Sequence, residues 1–126
     1  MGGRWALVAA WMAAVFFFSS ISNLGMAKRV PDWISHPIEY AVGAVLLCRA
    51  LAGGREGSLT LSTALFATLL ATAYGVTDEY HQSFVPGRTA DPMDVVKDLA
   101  GAAIAGTSYR EWRRRQAAAG APEPAR

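Results

Sequence analysis

Cysteine occurs once in this chain, at Cys48. That excludes an intrachain disulfide and any Cys-x-x-Cys metal or redox motif. Cys48 sits in an apolar, helix-like run and reads as a small core or lipid-facing residue. Charge is also scarce. Only 17% of the residues are Asp, Glu, Lys or Arg, against about 25% in an ordinary soluble domain. The net charge of +2 is too small to argue for nucleic acid. There is no P-loop, no His-Glu-x-x-His and no serine or cysteine in a nucleophile motif. No internal repeat stands out.

What remains is apolar. The 126 residues are 52% hydrophobic, with a mean hydropathy of +0.20. The charges are clumped and leave long neutral windows, a pattern of the membrane class. Four spans are predicted: about Trp5 to Leu24, Ile34 to Ala52, Ser58 to Thr77 and Met93 to Tyr109. The third is uncharged from Gly57 to Thr77. The second is interrupted by His36, Glu39 and Arg49, and the fourth must place Lys97 and Asp98 at an interface or against protein. Another reading of the first span is a secretory signal peptide, with Arg4 before the apolar run and Ser20-Ile21-Ser22 as the cleavage site. The fold class expected is all-α, a four-transmembrane-helix bundle with both termini cytoplasmic. Residues 1–112 form the membrane domain, and residues 113–126 form a basic, then Ala/Pro-rich, disordered cytoplasmic tail.

The basic residues set that orientation. Arg4, Arg49, Arg55, Arg110, Arg113, Arg114, Arg115 and Arg126 fall on one side, eight of the twelve. Lys28, Arg29, Arg88 and Lys97 fall on the other. The excess marks the first side as cytoplasmic, and Arg113-Arg114-Arg115 after Trp112 reads as an anchor beside anionic lipid. Seven of the ten acidic residues then face outward: Asp32, Glu39, Asp78, Glu79, Asp91, Asp94 and Asp98. Both histidines, His36 and His81, go with them.

Helical spacing brings these groups towards one another. His36, Glu39, Tyr40 and Gly43 share a stripe. Ala67, Ala71 and Gly75 form a close-packing stripe that runs on into Asp78, Glu79 and Gln82. Asp94, Asp98, Gly101 and Ala105 form another, with Ala102 and Gly106 beside it. Pro37 is tolerated near a helix start. Val85-Pro86-Gly87-Arg88 is a turn signal, and it aims Arg88 at a fixed place. Arg88 then either pairs with Asp78, Glu79, Asp91 or Asp94, or holds a ligand phosphate or carboxylate in its planar fork.

The run Asp78-Glu79-Tyr80-His81-Gln82-Ser83-Phe84-Val85-Pro86-Gly87-Arg88, followed by Asp94, Asp98 and Gly101, resembles the VanZ-like family of small bacterial membrane proteins. Ser19-Ser20, and Asp32 followed by His36, Glu39 and Tyr40, match in the same order. The resemblance spans Ser19 to Gly106. One departure is Trp33, where a lysine often follows the aspartate. The resemblance implies a four-helix protein of the bacterial cell envelope, in the cytoplasmic (inner) membrane. The family's namesake is associated with teicoplanin resistance, which links the fold to glycopeptide resistance without assigning it a reaction.

Three functions follow as expectations. The first is a non-enzymatic envelope protein, binding a lipid head group, a cell-wall precursor or a membrane-protein partner at its outer face. Arg88, Gln82, Glu39, Asp94 and Asp98 would be the binding residues. The second is a membrane-embedded acid/base enzyme acting on such a head group or precursor. Glu79 would be its base, Asp78 or Asp94 the partner, His36 the proton shuttle, and Arg88 the stabiliser of developing charge. The third is a divalent-metal protein using His36, His81 and carboxylates. No cofactor is identified outright.

Overall fold

The computed structural model describes residues 2–21, 31–54 and 58–120, apart from the side chain of Asp32. Ser22, Lys28, Arg29, Arg55, Arg126 and the predicted end of the first span at Leu24 lie outside those residues. The chain forms four helices: α1 Gly2–Ser19, α2 Asp32–Leu51, α3 Leu61–Gln82 and α4 Pro92–Ala119. No strand occurs among the described residues. The all-α expectation therefore holds.

Local chemistry explains the helix limits. Thr60 caps α3, its Oγ1 accepting the Thr63 N–H at 3.1 Å. Asp91 caps α4 through the Met93 N–H at 2.9 Å, and Pro92 follows at the first helical position. Pro37 lies inside α2, where its ring removes the amide that would bond the Trp33 carbonyl. α3 continues past the predicted end at Thr77, so Asp78, Glu79 and Gln82 remain on a helix. α4 runs on past Tyr109 to Ala119, into the 113–126 segment predicted to be a disordered tail. Alanine is the best helix former. Glu111 also ties the last turns together, bonding Arg114 at 2.9 Å and Arg115 at 3.1 Å.

Helix packing is close because small residues line the contacts. α4 packs against α2 and α3, which also meet each other, while α1 lies on α2 and α3 without reaching α4. Ala44, Ala64, Ala67, Ala71 and Ala102 are fully buried. A Cβ on Gly101 would come within 2.5 Å of the Pro37 Cα, so α2 and α4 touch backbone to backbone there. The Trp11 ring of α1 packs on the bare backbone of Gly43, and its Nε1–H donates to the Glu39 carbonyl at 3.0 Å.

The outside of the array is apolar. Leu65, Phe66, Leu69 and Val76 of α3, Ile38 and Val42 of α2, and Leu99 and Ile104 of α4 are all exposed. Among the described helices, only α1 is both long and apolar enough to cross a membrane by length and composition. The other three exceed it in length, but their polar residues lower their mean hydropathy.

Two ends of different character result. Arg113 reaches from α4 to the Gly54 carbonyl at 3.2 Å, and Arg4 of α1 lies beside Gly53 and Gly54. The start of α1, the end of α2 and the far part of α4 thus share a basic end. The end of α1, the start of α2, the end of α3 and the start of α4 share the other, where the acidic groups collect.

Candidate functional site

The acidic end is built around an imidazole. His36 of α2 stands against α4, with Nδ1 3.0 Å from Asp98 Oδ1 and Nε2 3.5 Å from Asp94 Oδ2. Asp98 is 1% exposed. It fits because α3 has no side chain opposite it: a Cβ on Gly75 would meet Asp98 Oδ2 at 2.7 Å. The small-residue stripe therefore does more than let helices approach, since its last glycine leaves the niche that a carboxylate fills.

Glu79 of α3 joins this pair. One donor atom each from His36, Glu79 and Asp94 lies within 4.8 Å of the other two. Glu79 Oε2 accepts the Asp91 backbone N–H at 2.8 Å, which ties the end of α3 to the cap of α4. Lys97 bonds the other Asp94 oxygen, Oδ1. Asp78, one residue before Glu79, accepts from Gln82 Nε2 at 2.8 Å. Asp78, Glu79, Gln82, Asp94 and Asp98 are all buried. Glu39 is half-buried, and its charge interacts with those of His36, Asp78, Asp98 and Arg88.

The turn forms as its sequence signals, with Arg88 N–H bonding the Val85 carbonyl at 3.1 Å and Gly87 at φ 81°. It pairs Arg88 with none of Asp78, Glu79, Asp91 and Asp94. Arg88 Nη2 donates instead to the Phe18 carbonyl at 2.8 Å, binding the turn to the end of α1. His81 also turns to α1. Its Nε2 lies 2.9 Å from Ser20 Oγ, and its ring stacks on Phe16 at 4.4 Å. His81 is thus apart from the His36 group, and the metal-capable cluster found among the described residues does not include it.

Several site groups carry no signal in the helical spacing of polar residues. Lys97 was legible only as an awkward charge in a span. The backbone N–H of Asp91, and the Trp11 and Phe18 contacts from α1, have no sequence signature. Tyr40 lay on the right stripe, but its hydroxyl is buried without a hydrogen-bond partner, as are Asp78 Oδ1, Glu79 Oε1 and Arg88 Nε. Buried polar atoms are nearly always paired, and among the described residues four of the five bare ones lie at the acidic end, the fifth being Arg110 Nε at the basic end. An imidazole between two carboxylates can pass a proton between them, or donate from one nitrogen and offer the other's lone pair.

No curated protein and no solved structure matches the chain. A family model described as VanZ/LLP1 matches residues 4–113, from the first turn of α1 to the basic cluster after Trp112, and takes in every residue of the acidic end. The chain belongs to the VanZ/LLP1 family.

Proposed function

We propose that this is a multi-pass protein of the bacterial cytoplasmic (inner) membrane, with four crossing helices and both termini cytoplasmic. In this reading it binds an envelope ligand at its outer face. The observation that carries the proposal is the inverted distribution of side-chain size and polarity. The interior holds many alanines, glycines and carboxylates beside Trp11, Tyr40 and Leu47, while Phe66, Leu69 and Ile104 stand 50%, 63% and 69% exposed. Water would meet large apolar side chains exposed on all four helices, the kind of surface that marks an interface with a partner or a membrane; lipid removes that cost. Small residues at helix contacts are the usual means of packing in lipid. Arg4, Arg49, Arg110 and Arg113 to Arg115 gather at the end opposite the acidic groups, as the positive-inside rule requires of a cytoplasmic end.

The ligand classes that suit the outer end are a lipid head group or a cell-wall precursor, and a membrane-protein partner could occupy the same face. A contribution to glycopeptide (teicoplanin) resistance would be one consequence of binding there. A second reading, an acid/base enzyme acting on the same ligands, draws on the bare Glu79 Oε1 and on His36 lying between two carboxylates. In it Asp94 is the partner of Glu79, because a carboxylate oxygen of each lies within 4.8 Å of the other and of a His36 nitrogen.

Thiol labelling tests the topology. Cys48 is buried, so a single added cysteine can be read. A membrane-impermeant reagent should label Thr89→Cys in intact cells and Gly120→Cys only after permeabilisation. The reverse pattern, or recovery of the protein in the soluble fraction, contradicts the proposal. Native mass spectrometry of the detergent-released protein tests the ligand. A bound envelope lipid or lipid-linked precursor, lost in Arg88→Ala, supports outer-face binding; equal retention in both contradicts the place given to Arg88.

A further inference from the structure

His36, Glu79 and Asp94 come from three helices and converge within 4.8 Å. Other observations separate this cluster from a buried ion-pair network. Glu79 is only 7% exposed, and its Oε1 is buried with no partner although Oε2 is satisfied. Asp98 holds His36 at Nδ1. A carboxylate there keeps the N–H on Nδ1 and the lone pair on Nε2, the arrangement that orients metal-bound histidines. Nε2 and Asp94 Oδ2 are 3.5 Å apart, too far for a good hydrogen bond. Two donors that each bind one ion at about 2.0–2.1 Å, at a near-tetrahedral angle, sit about that far apart. Lys97 occupies Asp94 Oδ1, which leaves Oδ2 to serve as a single-oxygen ligand. The charge balance points the same way: among the described residues Glu39, Asp78, Glu79, Asp94 and Asp98 outnumber the bases beside them, His36, Arg88 and Lys97.

We propose that His36, Glu79 and Asp94 form a site for one divalent transition-metal ion of the zinc or manganese type, with Asp98 orienting His36 from behind. An imidazole nitrogen with carboxylate oxygens suits these ions better than calcium or magnesium, which take oxygen almost alone. The site depends neither on which ligand meets the outer face nor on whether the helices cross a membrane.

The test uses the full-length protein, purified in detergent, stripped with a chelator and titrated with zinc and manganese chloride, then with calcium and magnesium chloride. The proposal requires one equivalent of zinc or manganese per chain, a raised melting temperature, and at least tenfold weaker binding in Glu79→Gln. It also requires the His36 Nε2 resonance, and not that of His81, to shift on adding zinc. This last reading needs no variant, so it holds even if His36→Ala fails to fold. Failure of the wild type to bind one equivalent, Glu79→Gln binding as tightly as the wild type, or a shift at His81 alone would each overturn it.

Discussion

Gly101→Ala should unlatch the acidic end from a distance. The added Cβ would lie 2.5 Å from the Pro37 Cα and 2.6 Å from its carbonyl carbon. These are backbone atoms, so no rotamer change relieves the clash. Ordinary contact begins at 3.4 Å, so α2 and α4 must part by about 1 Å, an overpacking strain of about 1–3 kcal/mol. Alanine's better helix propensity returns up to about 1 kcal/mol. The net loss is therefore between about 0 and 3 kcal/mol, centred near 1.5, or roughly 6 °C in melting temperature on the scale of small domains. Pro37 adjoins His36, and Gly101 lies one turn after Asp98. The same separation stretches the 3.0 Å His36–Asp98 contact beyond hydrogen-bond range. Tryptophan-fluorescence melting in detergent reads the stability, and the His36 ring resonances read the contact. Gly3→Ala is the control, because nothing lies within 4 Å of its Cβ; it should keep the wild-type melting temperature or exceed it. A Gly101→Ala protein that melts with the wild type and leaves the His36 resonances in place would refute the reasoning.

Two further outcomes follow from the helix ends. Asp91→Ala removes the α4 cap from the Met93 N–H and should cost about 1 kcal/mol, with Asp91→Asn restoring most of it; equal melting of Ala and Asp forms contradicts the cap. Glu111 is held down to about 2 by the hydrogen bonds from Arg114 and Arg115, against its ordinary 4.5. A lowered carboxyl pKa contributes stability that is whole above 4.5 and fades as pH falls from there towards 2. Carboxyl-carbon NMR should place the Glu111 midpoint well below 4.5 at low salt and nearer to it at high salt; a low-salt midpoint at 4.5 would count against the pairing.

The helices were legible because neutral windows between charges are long, and because alanine and glycine recur at helical spacing. The registers also put His36, Asp78, Glu79, Asp94 and Asp98 on inward faces, where the structure buries or half-buries them. Periodicity names a face, though not the neighbour it meets. It could not say that Asp98 and not Asp78 takes His36 Nδ1, since that depends on the niche at Gly75. Nor could it aim Arg88. The turn was readable from Pro86 and Gly87, but the Phe18 carbonyl it reaches is a backbone atom on a helix far away in sequence. The end of α3 was misplaced for a related reason. The apolar span ends at Thr77 because the residues after it are polar, yet the helix runs on to Gln82, as the stripe through Asp78, Glu79 and Gln82 implies. The overrun of α4 to Ala119 reflects helix propensity and the Glu111 pairs, which a search for apolar spans passes over.

α2 and α4 join their polar side chains into one site through His36 and Asp98. A double-mutant cycle on His36→Ala and Asp98→Ala, read as unfolding free energy, tests it most directly. A buried contact between a carboxylate and an imidazole predicts a coupling of about 1.5–3 kcal/mol. Two changes that add to within about 0.3–0.5 kcal/mol would show residues that do not touch, and the shared site would fall with them.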